Sequence, residues 1–204
     1  MWTGAILAGG HARRLGGLNK AGLVLQPGGA SVLDRQLALL RRVVDRTIII
    51  ANDAEPFRDA GVPVIADMVP DSGALGALYT AVHASGTEWT LVVACDMPFV
   101  SERLLAHLVS VGGAVDIAVP RTARGYEPLC ATYSSRSATE LRRLIDERRF
   151  RLSDVTRIPG LDVHEVGRDE FEAFGPEEVL FFNLNTPDDY ARAIDLDGEY
   201  HYPS

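Results

Sequence analysis

The stretch Ala5-Ile6-Leu7-Ala8-Gly9-Gly10-His11-Ala12-Arg13-Arg14-Leu15-Gly16-Gly17-Leu18-Asn19-Lys20 runs from an apolar segment straight into glycine and cationic residues. Residues 4–8 read as a short buried strand. The glycines at 9, 10, 16 and 17 let the following loop bring backbone N–H groups close to an anion, and Arg13, Arg14 and Lys20 add positive charge. Lys20 is also the only lysine among 20 basic side chains. Arginine offers a planar fork and lysine a compact point charge on a flexible stem, so a chain that otherwise always uses arginine has a geometric reason for lysine here. The loop suits a nucleoside triphosphate. A glycine-rich turn that binds nothing is the bland alternative.

The spacing excludes the commoner phosphate loops. A Walker loop needs Lys-Ser or Lys-Thr directly after its last glycine, whereas Lys20 follows Leu18-Asn19 and precedes Ala21. Nor does Gly9-Gly10 fit the Gly-x-Gly-x-x-Gly dinucleotide turn.

Outward from the loop, apolar β-branched runs alternate with amphipathic stretches. Strands are expected at 4–8, 46–51, 62–66, 89–94 and 115–119, and their continuous hydrophobicity suits strands covered on both faces. Helical spacing marks 31–44, 73–84 and 101–111, with Ser31 and Ser101 as N-caps. Such alternation implies an α/β fold: a single three-layer α/β/α domain with a mainly parallel, Rossmann-like sheet and right-handed crossovers. After a polar turn at 121–125, residues 127–133 read as a strand and 135–148 as a helix whose arginines pair with Glu140, Asp146 and Glu147 on a solvated face. Residues 179–182 read as a last strand. Thr186 and Pro187 then open a helix as cap and first residue. Residues 1–195 are expected to form one domain and 196–204 a flexible C-terminal tail.

The 204 residues are 47% hydrophobic and carry a formal charge of −8, which argues against a nonspecific nucleic-acid or anionic-membrane surface and confines any anion site to a local patch. No apolar run approaches the ~20 residues of a membrane span, and Met1-Trp2-Thr3-Gly4 lacks the basic start of a signal peptide. A cytoplasmic setting is expected. Cys95 and Cys130 sit in apolar runs without metal-ligand spacing and are expected to be buried thiols. His83, His107, His164 and His201 are scattered and lack such spacing too, and His11 reads as loop filler.

In open α/β sheets ligands collect at the carboxyl ends of the strands, so the polar residues after each apolar run are the candidates. They are Asn52-Asp53, Asp67 and Cys95-Asp96-Met97-Pro98. A carboxylate placed directly after five apolar residues is costly to desolvate without a cation or donors beside it. Asp96 is such a carboxylate. Mg²⁺ takes one or two carboxylates plus phosphate oxygens and water, so one Asp facing a triphosphate loop is sufficient, while capping the next turn or pairing with an arginine is the alternative.

Leu7-Ala8-Gly9-Gly10 with Arg13, Arg14, Gly16 and Lys20, then Asp67, Gly73-Ala74-Leu75-Gly76, Cys95-Asp96-Met97-Pro98, Glu127-Pro128-Leu129 and Asn183-Leu184-Asn185-Thr186-Pro187 together resemble, in order, the signature segments of the molybdenum cofactor guanylyltransferases. These belong to the nucleotide-diphospho-sugar transferase type of fold. The resemblance spans residues 4 to about 195. It implies transfer of GMP from GTP to the phosphate of molybdopterin with release of pyrophosphate. It further implies nucleotide binding by Leu7, Ala8, Gly9, Gly10, Arg13, Lys20, Asn52, Asp67, Gly73 and Asp96, and Mg²⁺ held by Asp96. Lys20, Arg13 and Asp96 are the implied catalytic residues, and Asn183 and Asn185 lie on the pterin side. Two residues apart on a strand, these asparagines would share a face and could offer amides to a heterocycle, with cap and turn duty as the alternative. The implied partners are GTP and molybdopterin, with transient contact to other cofactor-biosynthesis proteins. The chain departs from the family pattern at Asn19, where Asp is usual, and at Ala74 and Ala77, which stand in a segment that is commonly Gly-Pro-Leu-Gly-Gly.

The implied chemistry requires no general base. A phosphate monoester is already anionic near neutral pH, so positioning and charge neutralisation remain as the tasks. That accounts for the lack of a Ser/His/Asp or Cys/His constellation. Cytidylyl transfer to the same cofactor, transfer to a sugar phosphate or phospholactate, and a noncatalytic GTP-binding module are the competing readings.

Overall fold

The computed structural model describes residues 1–8 and 22–200. Eight strands form one sheet in the order β3-β2-β1-β4-β7-β5, with β6 and β8 both paired to β5. They are β1 (Trp2–Leu7), β2 (Arg46–Ile50), β3 (Val64–Ile65), β4 (Trp89–Ala94), β5 (Ile117–Thr122), β6 (Gly125–Tyr126), β7 (Cys130–Ser134) and β8 (Val163–Val166). β1, β2, β3 and β4 run parallel, as do β5 and β8, while β7 lies antiparallel between β4 and β5. The sheet is therefore mainly parallel and α/β in class, as the alternation of apolar and amphipathic runs implies.

Side chains of successive strand residues point to opposite faces, and each face is covered. Ile6, Ile49, Leu91 and Val93 pack under helices α1 (Val32–Val43) and α3 (Glu102–Gly112), whereas Ala5, Leu7, Ile48, Ile50 and Val92 pack under α2 (Gly73–Ala84) and α4 (Ser137–Asp146). Continuous apolar strands are thus required, because neither face meets water. Ser31 caps α1 through a capping box with Asp34, and Ser101 accepts from the Leu104 N–H to cap α3. The arginines of α4 pair with acids on the exposed face, Arg142 with Asp146 and Arg143 with Glu140 and Glu147. Cys95 and Cys130 are both buried. Among the described residues no helix is long and apolar enough to cross a membrane.

Three elements differ from the sequence reading. Residues 179–182 do not form a strand: helix α6 (Glu177–Leu180) follows the short α5 (Arg168–Phe171). The Pro176 carbonyl accepts from both the Val179 and Leu180 N–H groups, and Glu177 and Glu178 favour the helix N-terminus. A short apolar run fits a buried strand or a buried helix turn equally well, so the acids and Pro176 decide. Next, α7 (Pro187–Tyr200) takes in residues 196–200, the first part of the stretch expected to be a tail, while residues 201–204 lie outside the described residues. Asp197, 3% exposed, pairs with Arg35 of α1, 11% exposed, which ties the last turns to the body of the molecule. Lastly, residues 127–129 form a turn before β7 instead of its first residues, because the Cys130 N–H donates to the Glu127 carbonyl at 2.9 Å and the Tyr133 hydroxyl to the Pro128 carbonyl at 2.7 Å. A third apolar cluster, including Leu25, Val32, Phe99, Phe182 and Leu184, seats the segment before α7 against the chain entering α1.

Candidate active site

The parallel strands β1, β2 and β4 end level with one another. The Ala8 N–H donates to the Ile50 carbonyl at 2.9 Å, and the Cys95 N–H donates to the Leu7 carbonyl at 3.0 Å. Leu7 and Ala8 are therefore buried between the ends of β2 and β4, at the mouth from which the glycine-rich segment departs. The expected nucleotide residues Gly9, Gly10, Arg13 and Lys20, with His11, Arg14, Gly16 and Asn19, lie outside the described residues.

Asn52 and Asp67 are brought together beside these strand ends, and Gly73 opens the helix whose Thr80 bonds to Asp67. The Asn52 Oδ1 accepts from the Asp67 N–H at 2.7 Å, and Asp67 Oδ1 in turn accepts from the Val69 N–H and the Thr80 hydroxyl, each at 3.0 Å. Thr80 Oγ1 accepts from the Met68 N–H at 2.9 Å, so the turn after β3 is knitted to α2 from both sides. Asp71 and Gly73 take the left-handed backbone, with φ of 64° and 60°, to redirect the chain into α2. Gly76 completes the approach: a Cβ there would stand 2.9 Å from the Val69 carbonyl oxygen and 3.1 Å from Asp67 Oδ2. Thr80 was not singled out from sequence. Its only signal is a small hydroxyl, next to Tyr79, in a largely apolar helix.

Asp96 sits in a tight turn held from both sides. The Met97 N–H donates to the Ala94 carbonyl at 3.2 Å, and the buried Gln36 of α1 donates its amide to the Ala94 and Met97 carbonyls at 2.8 and 3.0 Å. The Asp96 carbonyl accepts from the Leu184 N–H at 2.8 Å, which lays the Asn183-Leu184-Asn185 segment alongside. Asp96 and Asn183 consequently line one cavity of about 290 Å³, together with Tyr126, Glu127, Leu129 and Ser153. Asn183 also borders a second cavity, of about 410 Å³, which Asn185, Phe182, Arg124 and Arg192 help to line. The asparagines are not on a strand, contrary to expectation: they flank the buried Leu184 in an irregular segment that the third apolar cluster anchors. Backbone capping accounts for part of this segment, since the Asn185 and Thr186 N–H groups donate to Asp189 Oδ2 at 2.9 and 2.8 Å.

Glu127 is the acidic residue that the candidate list lacked, although its Glu-Pro-Leu segment was part of the resemblance. Burial pushes its carboxyl up from the ordinary value, against the Arg124 charge and the Thr122 hydroxyl that favour the anion. Thr122 Oγ1 lies 3.2 Å and Arg124 Nη2 3.6 Å from Glu127 Oε1. Among the described residues no group of three or more His, Cys, Asp or Glu converges as a cage for a metal ion. Magnesium needs no such cage, because it is held by one or two carboxylates plus phosphate oxygens. Asp96 and Glu127, hard oxygen donors on one cavity at the strand ends, fit that requirement.

Comparison with known proteins agrees with the fold. The model of the MobA-like NTP transferase domain matches residues 4–158. The molybdenum cofactor guanylyltransferase of Desulfosudis oleivorans is 30% identical over 192 residues, covering 94% of this chain and 93% of its own length. A probable molybdenum cofactor guanylyltransferase of Pelotomaculum thermopropionicum is 32% identical, with 94% of this chain and 91% of that protein covered. The crystal structure of molybdopterin-guanine dinucleotide biosynthesis protein A from Archaeoglobus fulgidus superposes with a TM-score of 0.76 at 27% identity, covering 97% of this chain and 99% of that one.

Proposed function

The chain belongs to the MobA-like NTP transferase family, and from that premise we propose that it transfers GMP from GTP to the phosphate of molybdopterin, releasing pyrophosphate. The observation that carries this reading is the shared cavity of Asp96 and Asn183, joined by the Leu184 N–H to Asp96 carbonyl bond. A nucleotide at the strand ends and an acceptor beside the asparagines would meet there. Relatives named guanylyltransferases over nearly the whole chain support the choice of base and acceptor.

In the proposed reaction an oxygen of the molybdopterin phosphate forms a bond to the α-phosphorus of GTP while the bond from that phosphorus to the bridging oxygen of pyrophosphate breaks. The entering oxygen is already anionic, so no proton need be removed. Lys20 and Arg13 neutralise the departing pyrophosphate and the α-phosphoryl oxygens. The Asn52–Asp67–Thr80 network and the close-packed turn at Gly73 and Gly76 present the guanosine side, and Asn183 and Asn185 offer amides to the pterin. Asp96, with Glu127 on the same cavity, would hold Mg²⁺, which when bound supplies charge neutralisation to the polyphosphate. A cytoplasmic setting and transient contacts with other cofactor-biosynthesis proteins belong to the same reading.

Pyrophosphate release with molybdopterin and each of the four NTPs tests it. GTP is expected to support turnover, and Asp96→Asn to lower that turnover by ~10²-fold or more while the thermal midpoint stays near that of the parent protein. Turnover with CTP alone, or with a sugar phosphate in place of molybdopterin, would replace the reading. Full activity of the Asp96→Asn variant would remove Asp96 from the site.

A further inference from the structure

The reaction proposed above brings a phosphate monoester dianion against an α-phosphoryl group that carries its own negative charge. Two such groups repel, and the cations assigned to the triphosphate are engaged on the α-phosphoryl oxygens and the departing pyrophosphate, not on the entering phosphate. A further cation is therefore needed where the acceptor enters, and it must be fixed, because the attacking oxygen has to come within roughly 3–3.5 Å of phosphorus.

We propose that Arg124 is that cation: the side chain that grips the attacking phosphate of the acceptor. The assignment rests on the guanylyl-transfer reading and on the position of Arg124 at the boundary of the two cavities. Its Nη2 donates to the Phe181 carbonyl at 2.8 Å, and the Asn183 Nδ2 donates to the same oxygen at 3.0 Å. Guanidinium and amide are thus neighbours, held to one acceptor. Asn183 lines both cavities, and Arg124 lines the larger one, of about 410 Å³, with Asn185. On the side of the Asp96 cavity, Arg124 Nη2 stands 3.6 Å from Oε1 of Glu127, a residue that lines that cavity. A phosphate at this junction would have its pterin end in the larger cavity and its reactive end toward Asp96.

The guanidinium is also prepared for a ligand. It has five N–H donors in a rigid fork that matches phosphate oxygens two at a time. The Phe181 carbonyl and Glu127 fix its orientation, while the side chain remains 62% exposed and can turn further donors to the cavity. The other two arginines of the larger cavity are differently engaged. Arg168 pairs with Glu172, and the Arg192 guanidinium lies over the Phe182 ring, 5.5 Å from its centroid.

The test measures steady-state kinetics with molybdopterin as the varied substrate, beside GTP affinity in the presence of Mg²⁺. Arg124→Gln keeps an amide donor for the Phe181 carbonyl and removes the charge, and Arg124→Lys keeps the charge without the fork. We expect Arg124→Gln to lower kcat/KM for molybdopterin by ~10²-fold, with GTP affinity and thermal midpoint unchanged, and Arg124→Lys to recover roughly tenfold of that loss. A purely structural role would move GTP affinity and the midpoint in parallel. Such a parallel loss, or an acceptor kcat/KM in Arg124→Gln within about threefold of the parent, overturns the assignment. If the parent protein itself releases no pyrophosphate from GTP and molybdopterin, the guanylyl-transfer reading fails, and the assignment goes with it.

Discussion

Gly76 leaves no room for a side chain. A Cβ would meet the Val69 carbonyl oxygen and the Ser72 Cβ, each at 2.9 Å, and neither can swing aside as a flexible side-chain end could. Gly76→Ala is therefore expected to cost about 1–3 kcal/mol of stability and to displace the turn that carries Asp67. Calorimetric titration with GTP should report weaker binding in that variant, and unchanged affinity would detach this turn from the guanosine. Gln36 acts on the opposite side of the site, where its amide donates to the Ala94 and Met97 carbonyls around Asp96. Replacing it by leucine strips donors from two carbonyls, a loss of about 1–3 kcal/mol. Denaturant titration should show that loss together with slower turnover, whereas unchanged turnover would mean that Asp96 keeps its position without Gln36. Asp96 was legible in the sequence because an acid straight after an apolar run is costly and local. Gln36 and Thr80 were not, because their value lies in carbonyls and carboxylates that the fold brings to them from other elements, 58 residues away for Gln36 and Ala94.

The parallel strands and the helices that cover them were readable from their own residues, since burial on both faces leaves an uninterrupted apolar run. Elements at the margin were not. β8 pairs only with β5 and has exposed or half-buried residues at 163–165, so its pattern is too mixed to stand out. The C-terminal turns of α7 read as a polar tail because Asp197 looks solvated until Arg35 is placed against it. Asp116 shows the same dependence on partners between elements. It precedes β5, accepts from the Ser134 hydroxyl at the end of β7 at 2.7 Å and from the Asp162 N–H before β8 at 3.0 Å, and pairs with Arg136. Burial alone would raise its carboxyl, but these donors and the Arg136 charge hold it below the ordinary value of 3.8. A carboxyl depressed in the folded state contributes stability above its unfolded value and loses it as pH falls through the folded value. Chemical denaturation as a function of pH should therefore show the parent more stable than Asp116→Asn near neutrality, with the gap closing below about pH 3.8. A gap that stays constant down to about pH 2.5 would contradict the assignment.

At the scale of the molecule, the sheet order places the ends of β1, β2, β3 and β4 in a row, and the segment before α7 returns to lie beside them through the Leu184 N–H to Asp96 carbonyl bond. Nucleotide-side and acceptor-side residues far apart in the chain thereby share one rim. On the proposed reading, the formal charge of −8 makes the site dependent on local cations, Lys20 and Arg13 for the triphosphate and Arg124 for the acceptor, instead of on a general positive field. The order of motifs along the chain conveyed the nucleotide half of this plan, and the pterin half only by resemblance, because its residues come from loops and short helices whose placement depends on the third apolar cluster. The most direct measurement follows the α-phosphorus of GTP itself. With GTP labelled at that atom, Mg²⁺ and molybdopterin, the label should appear in a pterin dinucleotide with one pyrophosphate released for each acceptor consumed. Binding of labelled GTP with no label passing to molybdopterin would contradict the account.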